Sequence, residues 1–375
     1  MSRCGVTLAA LLALALAPRS VRADDYVTVR GAYYREHSTR VIQPMVEVER
    51  DSPSGLDVRA HFLVDAVTSA SLAAGTSVDE VFTETRNESG LMLRKRWSRT
   101  EVSAGYKYSA ESDYISHALG ANVSHRFWGD TARLGFSGGI TRDRVSARFR
   151  TPECSTPSDR SCALDGTFAG LSYTQILTPN LLGQVVLESQ YLEGFQANPY
   201  RSVPNFGYEV LPETRVRNAF AMRLAYQLPG APTVLRFQYR YYVDFQPGKQ
   251  PEDDPWHITS HTLEGRLYQP LTDDLEVRLV FRYYTQTRAN FWCDVIARPG
   301  CYPPTAVYYS TDPKLGRVRT IYPEVKLVWH AAALEGVPVL SWLSAGMFEI
   351  AYGYYLQSTS YGNAHVLQSG YTFLF

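Results

Sequence analysis

The 375-residue chain predicts an all-β fold: a transmembrane, antiparallel, up-and-down β-barrel of about 16 strands, with about 14 to 16 allowed by the pattern. Three observations predict it. The N-terminus reads as an export signal. No later window approaches the roughly 18 consecutive apolar residues that a membrane helix needs. Between them, segment after segment alternates with a period of two, apolar and aromatic on one parity, charged or small on the other.

The export signal comes first. Met1 to Arg3 form a short basic start, Val6 to Ala17 an apolar run, and Val21-Arg22-Ala23 a small-x-small cleavage site before Asp24. Residues 1–23 are therefore read as a secretory signal peptide and 24–375 as a single barrel. Cys4 precedes the apolar run, so it is not a lipoprotein anchor. The chain carries 37 basic and 37 acidic residues, and removal of Arg3, Arg19 and Arg22 leaves a slight acidic excess. That balance argues against nucleic acid as a partner. A membrane protein without apolar helices must be a closed barrel, because no other strand arrangement satisfies every backbone group in lipid. The hydrophobic fraction of 45% is ordinary, as alternation makes it, and tyrosine is abundant at 26 residues.

The strands follow in order. Tyr26 to Glu36 is β-branched and aromatic and ends at His37-Ser38; Thr39 to Arg50 runs into the turn Asp51 to Gly55. Val58, Ala60, Phe62 and Val64 then alternate with Arg59, His61, Leu63 and Asp65. Thr83 to Arg96 runs into the turn Trp97 to Thr100, the strand carrying Val102 to Tyr108 and then Ser116 to Arg126 follow, and Phe127 to Asp130 leads into Arg133 to Phe149. Asp165 to Leu177 and Gly183 to Phe195 flank Thr178-Pro-Asn180. Phe220 to Tyr226 and Leu235 to Tyr241 flank Pro229 to Pro232, and His257 to Tyr268 and Leu275 to Arg288 flank Pro270 to Asp274. Val318 to His330, Leu343 to Gln357 and Ala364 to Phe375 complete the set. Counting back from Phe375 as the periplasmic end places the tight turns on that side and the longer, cysteine-bearing loops outside the cell.

The parity assigns an inward set. Its bases are Arg59, Arg94, Arg96, Lys107, Arg133, Arg223, Arg236, Arg240, Arg266, Arg278, Arg282 and Lys326. Its acids are fewer: Asp57, Asp65, Glu101, Glu188, Glu264, Glu276, Glu324 and Glu349. Two readings stay open. Arginine–carboxylate ladders fill barrel interiors as structure; a basic excess also concentrates anions in a lumen.

Cys154 and Cys162, and Cys293 and Cys301, lie in proline-bearing loops with equal spacing. In an oxidising compartment each pair reads as a local disulfide. Metal binding is the alternative, but no histidine lies near either pair. The eight histidines are scattered singly, without a Ser-His-acid constellation or an H-E-x-x-H motif. No enzyme, metal or cofactor is read from them. Trp97, Phe127, Trp128 and Trp329 sit beside short turns, where a barrel carries its aromatic girdle.

The closing stretch Ala364 to Phe375 places Leu367, Tyr371, Phe373 and Phe375 on one face, opposite Gln368, Gly370 and Thr372. It reads as the seam strand, pairing with the first, and Tyr371, Phe373 and Phe375 as the signal presented to the barrel-assembly machinery.

The segment from Gly31, GAYYREHSTRVIQPMVEVERDSPSGLDVRAHFLVDAVTSAS, followed by VDEVFTE, resembles a bacterial family called domain of unknown function 3570. The likeness rests on the tyrosine-rich first strand and on Val64-Asp-Ala-Val-Thr-Ser-Ala-Ser71. It implies an exported outer-membrane barrel and brings no activity or catalytic residues. The expected function is passage of small polar or anionic solutes, with Asp65, Arg236, Arg240, Arg278 and Arg282 foremost in the lumen. A scaffold barrel with a closed lumen is the alternative, and an outer-membrane hydrolase a remoter one.

Overall fold

The computed structural model describes residues 25–70, 81–145, 162–198, 201–295 and 297–374. The expected signal peptide, Cys154 and Phe375 lie outside them.

The strands are β1 (Tyr26–Arg35), β2 (Thr39–Asp51), β3 (Leu56–Ala70), β4 (Val81–Arg96), β5 (Thr100–Ala110), β6 (Tyr114–Phe127), β7 (Ala132–Val145), β8 (Ala163–Thr178) and β9 (Leu181–Gly194). The short pair β10 (Ser202–Val203) and β11 (Gly207–Tyr208) follows, then β12 (Thr214–Gln227), β13 (Val234–Phe245), β14 (Thr259–Pro270), β15 (Leu275–Gln286), β16 (Val318–His330), β17 (Met347–Gln357) and β18 (Ala364–Leu374). All but β10 and β11 form one closed, antiparallel, 16-strand barrel in which sequence neighbours pair. The barrel closes where the aromatic terminal stretch requires. Every residue of the 10-residue β1 is in register with β18, from Tyr26 opposite Leu374 to Arg35 opposite His365. On the inner face of that seam the hydroxyls of Thr28 and Thr372 meet at 3.1 Å.

Alternation sorts the side chains as the sequence predicts. Leu93, Tyr106, Leu119, Phe136, Leu187, Phe237, Phe281, Val325 and Ile350 are exposed on the outer surface, a band that only lipid covers at low cost. A strand of ten residues suffices for one tilted crossing. The fold is that of a bacterial outer-membrane barrel. Two inward aromatics need glycine opposite them. Phe168 occupies the space in which Gly139 would carry a Cβ, and Tyr322 does the same at Gly353.

Connection lengths sort less cleanly than expected. At the end holding Asp25 and Leu374, hereafter the terminal end, most links are tight turns. Yet the link 331–346 at that end contains two 3-10 turns, so β17 starts at Met347 and not near Leu343. Pro338 interrupts extended pairing there, and Gly346 passes beneath the Tyr371 ring. Conversely, the short links 36–38 and 111–113 lie at the opposite, loop end.

Candidate functional site

The inward charges divide into two unlike walls. On β2–β4 nearly every cation meets a carboxylate. Arg59 pairs with Glu49 and donates to the Tyr26 hydroxyl at 3.3 Å. Arg94 reaches Glu49 and Asp57, each at 2.8 Å, and Arg96 reaches Asp51 at 2.9 Å and Asp57 at 3.0 Å. Asp65 accepts from Arg86 Nε at 2.7 Å and from Gln43. Glu49, Asp57 and Asp65 are buried, and their desolvation is offset by this charge pairing. Here the ladder is structural.

On β12–β15 the arginines outnumber the carboxylates. Arg223 donates to two neutral amides, Gln184 and Gln238, each at 3.0 Å. Arg236 lies directly opposite Arg266 in register. Its guanidinium sits 4.6 Å from the Tyr268 ring centroid and 3.3 Å from the Tyr268 hydroxyl, a cation–π contact in place of an ion pair. Glu264 is shared between Arg266 at 2.5 Å and Arg282 at 2.6 Å. Arg278 pairs with Glu276 and also lies over Tyr268. Arg240 is 3.6 Å from Glu188. Among the described residues, neither Arg223 nor Arg236 has a carboxylate within ion-pair distance, and both are solvent-exposed although they point inward. A recess of about 380 Å³ lies beside Gln184, Arg223, Arg236, Gln238 and Arg266. A second, about 400 Å³, lies between Phe168, Glu188, Arg217, Arg240 and Tyr242.

The remaining bases expected inside from the sequence are paired: Lys107 with Glu88 at 3.2 Å, Arg133 with Glu101 at 3.0 Å, and Lys326 with Glu349 at 2.7 Å. Glu324 accepts from the Tyr322 hydroxyl at 2.5 Å. Sequence reasoning missed Glu49, Arg86 and Arg217. Glu49 shares the parity of Met45 and Glu47, but Gln43-Pro44-Met45 blurs the alternation of β2.

The loop end is not open on every side. Loops 195–213, 246–258 and 287–317 pack together around Trp256, Ile258, Ala289 and Phe291, against Tyr242 of the inner wall. Trp256 is fully buried, donates to the Thr214 carbonyl at 3.0 Å and lies under Arg215, whose Cζ is 4.0 Å from the ring. Val210 and Tyr309 exchange backbone hydrogen bonds at 3.1 and 3.0 Å, and Cys293–Cys301 form a disulfide within the longest loop. Cys162 is also disulfide-bonded. Arg201, 5% exposed, reaches Tyr361 at 3.3 Å and Asp312 at 3.8 Å. Tyr361 stands between β17 and β18, close to the far side of the barrel from β9, so this contact crosses the mouth. Beside it Glu209 is buried and accepts from Ser310 Oγ and Asn198 N–H at 2.5 Å each. Burial pushes the Glu209 carboxyl above its ordinary range, against those two hydrogen bonds.

The family model described as "Protein of unknown function (DUF3570)" matches residues 67–367. The chain belongs to that family. The match begins inside the Val64–Ser71 step and extends through the arginine wall of β12–β15 into β18, well past the segment that carried the resemblance. No curated protein matches the chain. A solved structure titled "Bacterial polysaccharide outer membrane secretin" aligns with a TM-score of 0.53 at 9% identity, over 95% of this chain and 100% of that one. The outer-membrane-expressed OmpT of Vibrio cholerae aligns at 0.47 and 9%, over 96% and 99%. OpdK of Pseudomonas aeruginosa, solved with vanillate, aligns at 0.44 and 9%, over 94% and 99%. At 9% identity the likeness to the secretin-titled structure is one of fold alone.

Proposed function

We propose that this barrel passes small anionic solutes along the arginine wall of β12–β15, without catalysing a reaction. The observation that carries the reading is Arg223 with Arg236: two inward guanidiniums, exposed and lacking a carboxylate among the described residues. Fixed cations in a wet, low-dielectric passage raise the local concentration of anions. The loops folded over the same wall, held together by Trp256 and the Arg201–Tyr361 contact, narrow the entrance and support selective entry over general diffusion.

Those loops also favour a second reading, a scaffold barrel whose lumen stays shut. Conductance across a planar bilayer separates the two. Discrete steps above background, with matching uptake of small carboxylates or phosphates by liposomes, are expected for a passage; a silent bilayer and impermeable liposomes favour the scaffold. Outer-membrane lipid surrounds the outward belt, and the barrel-assembly machinery is proposed to read Tyr371, Phe373 and Phe375.

A further inference from the structure

On the lipid-facing surface near the loop end, one arrangement of four residues occurs three times. A strand running toward the loops carries Tyr-x-Tyr, and the strand returning from them carries His-x-Leu. On β5 and β6 these are Tyr106, Tyr108, His117 and Leu119. On β13 and β14 they are Tyr239, Tyr241, His261 and Leu263, and on β17 and β18 they are Tyr352, Tyr354, His365 and Leu367. The register repeats as well: the first tyrosine is opposite the leucine and the second opposite the histidine.

Each imidazole is held on two sides. The first tyrosine reaches diagonally, with its hydroxyl 2.7, 2.8 and 2.8 Å from Nδ1 of His117, His261 and His365. The second packs its ring against the imidazole at centroid separations of 5.2, 5.2 and 4.8 Å. An aromatic anchor needs only an exposed ring at the interface. Fixing the orientation of an imidazole is a further step, and three separate hairpins take it identically.

The chemistry follows from the fixed nitrogen. When Nδ1 accepts the tyrosine hydroxyl, the neutral ring carries its proton on Nε2, which is then a donor. In the imidazolium form Nδ1–H donates to the tyrosine oxygen and Nε2 keeps its proton. The three imidazoles are exposed, and among the described residues nothing accepts from their Nε2. Deeper along each strand, Leu119, Leu263 and Leu367 face the lipid, so each imidazole lies where hydrocarbon gives way to headgroups. At that level of a leaflet the anionic acceptor is the headgroup phosphate, which an N–H donor favours over the neutral ester carbonyls.

We propose that these are three equivalent sites for the phosphate oxygens of lipid headgroups in the leaflet at the loop end. Nε2–H of the histidine donates to the phosphate, and the diagonal tyrosine is a positioning residue that sets the ring. The continuity of each site with the apolar belt selects a membrane lipid as its occupant.

Native mass spectrometry of the full barrel in maltoside micelles tests this, because the micelle itself presents no phosphate. With phosphatidic acid added, three molecules should be retained above background. Each of His117→Phe, His261→Phe and His365→Phe should remove one, and the triple variant all three. Tyr106→Phe should weaken retention at one site alone. Diacylglycerol should not be retained, and excess inorganic phosphate should displace nothing. Equal retention of phosphatidic acid by wild type and triple variant, or of diacylglycerol and phosphatidic acid by wild type, overturns the proposal. Displacement by inorganic phosphate overturns the assignment to lipid. Heat-modifiable migration of each variant confirms that it folds, and the single variants read the stoichiometry if the triple variant does not.

Discussion

Arg94 Nε donates to Asp57 Oδ2 at 2.8 Å across the β3–β4 pair, and the same guanidinium reaches Glu49 at 2.8 Å. Among the described residues, Arg223, on the other wall, hydrogen-bonds to glutamine oxygens and to no carboxylate. Residues of one type on one face thus have different work, and their substitutions separate.

Arg94→Gln leaves two buried carboxylates, Glu49 and Asp57, each short of one partner. The penalty for breaking such a pair is about 3 kcal/mol, toward the low end of the usual range because Arg96 still holds Asp57. Arg223→Gln removes no ion pair and should change stability by less than about 0.5 kcal/mol. Urea unfolding in lipid vesicles, followed by loss of heat-modifiable migration, measures both. Equal destabilisation by the two substitutions contradicts the division into walls.

The disulfide Cys293–Cys301 closes a short loop in the longest connection. Replacing both cysteines with serine should loosen that loop by about 2–3 kcal/mol through the unfolded-chain entropy it no longer restricts. Hydrogen exchange should rise across 287–317 and remain unchanged in the barrel strands.

Glu209 makes the mouth contacts pH-dependent in a defined direction. Its carboxyl is raised in the folded loop, chiefly by burial. The folded state therefore binds the proton more tightly than the open loop does. The resulting stabilisation is fully present below the ordinary carboxylate value near 4.5 and fades as pH rises through the elevated one. Limited proteolysis of loop 195–213 should accelerate as pH rises across that window. Glu209→Gln, a permanently neutral analogue, should flatten the profile.

The strand set was legible because alternation is a local signal. All sixteen expected segments correspond to barrel strands. What separates Arg94 from Arg223 was not legible, since it depends on residues two strands away or blurred in pattern, such as Glu49 beside Gln43-Pro44-Met45. The loops were marked only by their prolines and cysteine pairs; the Arg201–Tyr361 contact joins residues 160 apart in sequence and has no local signature. The histidines looked scattered because each tyrosine partner sits across a hairpin. The recurring Tyr-x-Tyr, loop, His-x-Leu spelling is visible once the hairpins are known.

Closure of the barrel depends on β18. Tyr371 donates to the Leu343 carbonyl, packs edge-on to Phe373 at 4.6 Å, and Phe373 stacks on Trp342 at 5.7 Å. Deleting Phe375 should reduce insertion into the outer membrane while export continues, seen as accumulation of a non-heat-modifiable periplasmic form. Normal insertion of that variant contradicts an assembly role for the terminal aromatics.

The central claim is the sign of the passage, and the reversal potential of single channels in a salt gradient measures it directly. Anion preference is predicted for the wild type, with the permeability ratio falling toward unity in the Arg223→Gln, Arg236→Gln double variant. A cation-selective reversal potential, or a preference that the double variant leaves unchanged, contradicts the account.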